Sequence, residues 1–450
     1  MNILLLMPPE PFFSPFSTAE KRIPIGIAYL MEVLARRGHH VEFVDCYLDP
    51  EALWRSDLWR RPNFDLVGIQ ANTICLDGVI RLATFWQRLR ESGRWKGKLV
   101  LGGPATATHL DSFPAWIDHV VVGEVENAIL KLADGTSERV LREPWNRSLD
   151  DLPLPGFEPF LKLPYDWSSH WLPGRRLVNL NTSRGCPFEC TFCSVSSVWG
   201  RQYRAMSAER TVEWMQQVKA LGFQAVYFRE DNFTLRRDRT VTFCEQVLGR
   251  DLRMEWICET RADTLDESVI TLMARAGCRA VYIGVESGSD RVLRLLKKGE
   301  TKGQFRQAFA SLRRHGIFTY ASFVVGLPGA SPADDDATRK FSDELRPDVK
   351  GFNVFVGIPH SELYRQALPQ AMFTDYRGLV FLKGHNGRVR DFYGPLSLPR
   401  MGVHALSRLD SRCKKSLGWS VPAHHVVEPL ARASARFDQA LRRARAAWRG

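Results

Sequence analysis

The first part of the chain alternates short, wholly apolar runs with stretches whose apolar positions recur at helical spacing. Asn2–Met7, Val41–Asp45, Leu66–Gln70, Lys98–Leu101 and His119–Val122 predict strands. Ile25–Arg37, which stops at Gly38, and Val79–Glu91 predict helices. A strand apolar at every position is buried on both faces. The pattern therefore predicts a parallel sheet covered by helices on each side, a doubly wound, Rossmann-like α/β domain over residues 1–143. Ligands of such sheets lie beyond the C-terminal strand ends. Those ends carry Pro8, then Gly102-Gly103-Pro104, then Gly123-Glu124.

Residues 144–176 are rich in proline and tryptophan, have no period, and read as a linker. A strand–helix unit then repeats through residues 177–360. Its strands are Leu177–Thr182, Ala225–Phe228, Glu255–Cys258, Ala280–Val285, Tyr320–Val325 and Gly351–Val356. Six such units predict a partial (β/α)6 barrel of the TIM type, with its chemistry at the C-terminal strand ends. The polar clusters fall there: Glu230 and Asp231, Arg261, Glu286 and Ser287, and the turn at Val325-Gly326. Residues 361–450 form a small third region, expected to help define the substrate. It holds a short strand near Leu379–Leu382 and a basic amphipathic helix at Val427–Trp448.

Composition narrows the class. The chain has 450 residues, 44% hydrophobic and 25% charged, as in ordinary soluble multidomain proteins. No apolar run reaches membrane-spanning length. The apolar start lacks a basic region and ends in prolines, so it reads as a buried strand and not a signal peptide. Nine cysteines without a disulfide framework predict a reducing compartment, the cytoplasm. The formal net charge of +12 comes without a continuous basic face interleaved with aromatics. Nucleic acid is therefore not an expected partner, and neither is a membrane.

The sharpest chemical signal is Cys186-Pro187-Phe188-Glu189-Cys190-Thr191-Phe192-Cys193. C-x3-C-x2-C spacing lets one short loop give a thiolate to each of three irons of a [4Fe–4S] cluster. The fourth iron is then left open to a small molecule. Structural zinc wants four ligands, usually as two separated pairs, and no second pair is present. The other cysteines lie mostly in apolar contexts, as buried structural thiols do.

On this loop, with Phe192 before the last cysteine, the chain resembles the radical SAM superfamily. The resemblance implies that the open iron binds S-adenosylmethionine (SAM), which is cleaved reductively to a 5′-deoxyadenosyl radical. It also implies contacts to SAM. Glu230 or Asp231 would take the methionyl ammonium. Glu286 and Ser287 would meet the ribose, and Val325, Gly326 and Phe192 the adenine. Arg261 suits the methionyl carboxylate, and equally a salt bridge to Glu259 or Glu230.

The N-terminal domain resembles the cobalamin-binding domain of one radical SAM subgroup. The matching stretches are Met7-Pro8-Pro9, Pro24–Leu30, Arg37-Gly38-His39, Gly102-Gly103-Pro104 and Gly123–Glu126. Pro8, Gly102, Gly103 and Gly123 are the positions this resemblance puts on the corrin. Ala105 stands where the family often has histidine, Val125 where it often has glycine, and no D-x-H-x-x-G motif occurs. The implied function is hydrogen abstraction from an unactivated carbon of a small molecule, a natural product, for cobalamin-dependent C-methylation. The alternative is a cobalamin-independent dehydration or deoxygenation of a sugar-like diol. Either needs an electron donor such as flavodoxin or ferredoxin.

Overall fold

A computed structural model of the chain describes residues 1–9, 20–60, 62–169, 171–374 and 380–382. The expected helix at Val427–Trp448 lies outside them.

The N-terminal sheet has six parallel strands. They are β1 (Asn2–Met7), β2 (His40–Asp45), β3 (Leu66–Gln70), β4 (Lys98–Gly102), β5 (His119–Val121) and β6 (Val140–Leu141), in the order β2-β1-β3-β4-β5-β6. Along β1, Ile3 and Leu5 enter one core and Leu4 and Leu6 the other. A strand buried on both faces is what its unbroken apolar run requires. Helices Ile25–Ala35 and Leu76–Glu91 cover opposite faces of this sheet.

The second sheet opens with β7 (Leu177–Leu180). A short antiparallel pair follows, β8 (Ser183–Arg184) and β9 (Arg204–Ala205). The remaining barrel strands are β10 (Ala225–Phe228), β11 (Glu255–Thr260), β12 (Cys278–Glu286), β13 (Phe318–Val325) and β14 (Val349–Val354). All six barrel strands run parallel, in the order β14-β13-β12-β11-β10-β7. No described strand joins β7 to β14, so the barrel is partial. Its outer positions, such as Val226, Phe228, Trp256 and Cys258, pack against the surrounding helices. Tyr227, Glu259, Tyr282 and Tyr320 lie on the opposite, inner face. Two helices start on full capping boxes, Thr301 with Gln304 and Ser331 with Asp334, which satisfy amide groups that have no partner within the helix.

The linker does structural work at both domains. Leu154, Phe157, Phe160 and Tyr165 are buried in a core that runs from the first sheet into the barrel. Tyr29 of the first domain meets Trp214 of the second edge-on at 5.8 Å, and Phe157 lies 6.0 Å from the same ring. Further along, Trp171 stacks on Tyr282 and Tyr320 at 6.1 and 5.4 Å and plugs the N-terminal end of the barrel.

Candidate active site

The cysteine loop leaves β8 through Gly185, at φ +83. A Cβ there would stand 2.3 Å from the Gln202 carbonyl oxygen, so only glycine fits. Backbone bonds anchor the loop. Thr191 N–H donates to the Leu296 carbonyl at 3.0 Å, and Leu363 N–H donates to the Thr191 carbonyl at 2.7 Å. Phe192 packs with Leu296, Leu327 and Phe355, close to the end of β13. Cys186, Cys190 and Cys193 are half-buried and unpaired. Burial raises all three thiols, Cys193 to about 12. Such thiols are poor thiolates until a metal displaces the proton. Among the described residues no three acidic, histidine or cysteine side chains close round a single ion.

The acidic pair divides. Glu230 is buried and accepts from Thr182 N–H at 2.7 Å, from the Thr182 hydroxyl and from the Ser183 hydroxyl. Its oxygens are spent on holding the segment that leads into the cysteines. Asp231 stands exposed at the barrel mouth. Desolvation by the surrounding protein, then Glu259 and Glu230, push its carboxyl up to about 6. Glu259, one step inside the barrel, accepts from the Tyr227 hydroxyl at 2.7 Å, and burial raises its carboxyl too.

Arg261 is not left open for a ligand carboxylate. Its guanidinium donates to both oxygens of Asp263 at 3.0 and 2.7 Å and to the Lys298 carbonyl at 2.7 Å. It lies 3.6 Å over the Phe188 ring and points Nη1 at Cys190 Sγ, 3.9 Å away. Neither carboxylate foreseen for it, Glu259 or Glu230, is its partner. Behind it lies a charge cluster that the strand pattern did not reveal. Lys298, its side chain 7% exposed, sits 3.2 Å from Glu300 and 3.7 Å from Glu286. Lys298 and Arg261 both draw the Cys190 thiol down against the larger effect of burial.

Glu286 ends β12 at φ +67, a strained conformation for a residue with a side chain. Ser287 follows, buried, its hydroxyl 3.0 Å from that of Thr338. Val325 is buried at the end of β13, and Gly326 N–H reaches Asp335 at 3.3 Å. These residues do gather at one end of the barrel, as their strand-end positions predicted.

Between the domains lies a largely apolar cleft. Gly102, Gly103 and Gly123 line it from the first sheet, and Asn181, Arg184 and Trp199 from the cysteine-loop side. Pro8 does not line it. Pro8 is buried, and its neighbour Pro9 packs on Gly78. Gly103 sits at φ +121, where a Cβ would come within 2.7 Å of the Ala71 carbonyl oxygen. Gln70 faces the cleft with its amide oxygen buried and unbonded. An orphan acceptor in a broad apolar cleft fits a flat ligand whose rim carries amide donors, as a corrin does. Among the described residues no histidine lines the cleft.

A buried ion cluster closes one side. Arg184 reaches Glu126 at 2.5 Å and Glu124 at 3.0 Å, and Arg204 reaches Glu124 at 2.6 Å. Asn146 donates to Glu124 through its backbone at 2.6 Å and its side chain at 2.8 Å. Arg184 is also flanked by Tyr29 and Trp199. Sequence reasoning placed the Glu124 motif on the corrin side but missed its arginine partners, which lie 58 to 80 residues away.

Comparison with known proteins agrees with both halves. Residues 180–341 match the radical SAM superfamily model, and residues 17–133 match the B12 binding domain. The chain is 29% identical over 404 residues to an uncharacterized methyltransferase of Pyrococcus horikoshii, covering 82% of this chain and 83% of that protein. It is 28% identical over 289 residues to an anaerobic magnesium-protoporphyrin IX monomethyl ester cyclase of Rubrivivax gelatinosus, covering 59% of this chain but only 52% of that protein. Among solved structures, the radical S-adenosylmethionine methyltransferase TsrM from Kitasatospora setae, with cobalamin and a [4Fe–4S] cluster bound, superposes with a TM-score of 0.65 at 19% identity. That match covers 82% of this chain and 75% of TsrM.

Proposed function

The chain belongs to the radical SAM superfamily, in the subgroup that carries a B12-binding domain, and from that premise we propose that it methylates an unactivated carbon of a small molecule. One observation carries the reading. The glycine-marked ends of the first sheet and the segment around the three cysteines line the same cleft. Groups held on the two sides therefore meet across one space. An inherited domain that had lost its cofactor has no reason to keep that cleft open, which favours methylation over the cobalamin-free dehydration.

When bound, the cluster supplies the electron that cleaves SAM and the corrin supplies the methyl group. The chain's residues hold and orient. Cys186, Cys190 and Cys193 hold the cluster. Asp231 accepts from the SAM ammonium, since Glu230 is already committed to Thr182 and Ser183. Glu286 and Ser287 stand by the ribose, and Phe192, Val325 and Gly326 by the adenine. Gly102, Gly103 and Gly123 give a large ring close access to backbone, and Gln70 offers it an acceptor. Trp171 stacks on Tyr282 and Tyr320 across the barrel base. A flavodoxin or ferredoxin in the cytoplasm fits as electron donor. The relatives include a cyclase as well as a methyltransferase, so the choice of methylation rests on the cleft.

The test is anaerobic reconstitution with iron, sulfide and hydroxocobalamin. The reading expects an equimolar corrin retained through gel filtration, and SAM cleavage that disappears when the three cysteines become alanine. A protein that binds the cluster but excludes the corrin would overturn methylation in favour of the cobalamin-free reaction.

A further inference from the structure

Arg261 touches a cysteine and nothing that a substrate would occupy. Its guanidinium makes four hydrogen-bond contacts, two to Asp263, one to the Lys298 carbonyl and one to the sulfur of Cys190, while Phe188 of the cysteine loop lies 3.6 Å away. Such a guanidinium is fixed by its own partners before any ligand arrives. Behind it, Lys298 and Glu300 are also buried, and Glu300 caps the Ala262 N–H at 2.7 Å. Glu300 Oε2 lies 3.4 Å from Arg261 and 3.2 Å from Lys298.

We infer that Arg261 and Glu300 form a positioning pair that sets the reduction potential of the cluster through Cys190. Arg261 raises it and Glu300 restrains it. The inference rests on the reading that the three cysteines hold that cluster. A reduced cluster carries one more negative charge than an oxidised one, spread partly onto its sulfurs. A hydrogen-bond donor and a fixed positive charge beside a sulfur stabilise the reduced form. A buried carboxylate nearby opposes it. Hydrogen bonds to sulfur, net charge and exposure are the protein's general means of moving cluster potentials. The local dielectric is low here, so the charges act strongly. The arrangement also separates two tasks. Asp231 is exposed for the incoming ammonium, whereas Arg261 is enclosed and works on the metal side alone.

The experiment is an EPR-monitored redox titration of the reconstituted, full-length protein without SAM, on wild type, Arg261→Gln, Arg261→Lys and Glu300→Gln. Arg261→Gln should lower the midpoint potential by about 59 mV or more, a tenfold shift in the one-electron equilibrium. Arg261→Lys keeps the charge and should recover part of that loss. Glu300→Gln keeps an acceptor for the Ala262 N–H, removes the charge, and should raise the potential. Opposite signs are the signature, because mere loosening of the loop would move both glutamine variants the same way. Arg261→Gln with full iron and sulfide and an unchanged potential would overturn the inference. Equal shifts of one sign in both glutamine variants would do the same. If Arg261→Gln fails to hold iron, the direction of the Glu300→Gln shift decides. Wild-type protein that takes up no cluster would count against the functional reading, not against this pair alone.

Discussion

Asp231 and Glu230 are neighbours in the chain with different work. Asp231, raised to about 6, must be ionised to accept an ammonium. SAM affinity should therefore fall as pH drops through about 6, and the fall should vanish in Asp231→Asn. That variant should bind SAM more weakly by roughly 2 kcal/mol, about thirtyfold, at neutral pH, the value of a charge-assisted bond and its stranded partner. Calorimetric titration of SAM across pH checks both. The ionised Asp231 opposes folding above its unfolded pKa, so the apo form of Asp231→Asn should melt no lower than wild type. Glu230→Gln should instead lower the melting temperature while leaving the pH dependence of SAM binding in place. The two carboxylates were legible in the sequence because a strand end announces them. Their division of labour was not, because it depends on Thr182 and Ser183, 48 and 47 residues before Glu230. Lys298 and Glu300 left no trace at all, since Lys297-Lys298-Gly299-Glu300 reads like any solvated charged turn.

Single elements show why some strands were readable and others not. β1 and β4 carry no polar residue after their first and were found within a residue of their ends. β8 and β9 have two residues each, too few to show any period, yet they frame the cysteine loop. The Gly102-Gly103 turn was recognised by composition, and its geometry gives it a measurable role. Gly103→Ala would force a side chain into φ +121 against the Ala71 carbonyl, at a cost of order 1–3 kcal/mol. The expected result is loss of corrin retention with cluster iron unchanged, read by absorbance and metal analysis on one sample. Loss of both together would mean that the turn supports the whole fold and not the cleft.

The domains are joined by a shared core and by the Arg184–Glu124–Arg204 cluster. Neither was foreseeable from a linker that looked only rich in proline and tryptophan. Burial pulls Glu124 up, but Arg184, the Asn146 N–H and Arg204 outweigh it and hold the carboxyl below its ordinary value. Its stabilising contribution is full above the unfolded pKa and is lost as pH falls through the lower folded one. Glu124→Gln leaves Arg184 with Glu126 alone and Arg204 with no carboxylate, a loss of roughly 3–5 kcal/mol. The variant should unfold at lower denaturant, still in one transition if the two domains share a core as described. A second transition would show that the domains melt separately. The barrel itself has one further consequence. It is stoppered by Trp171 at its base, and among the described residues no strand pairs with both β7 and β14 to close its side. A vessel shut below and open along one side would select by reach and not by size. A bulky molecule can present one carbon at the mouth while the rest of it overhangs the slit. Enlarging the overhang should then leave turnover nearly untouched, whereas moving the reacting carbon inward by a single bond length should abolish it.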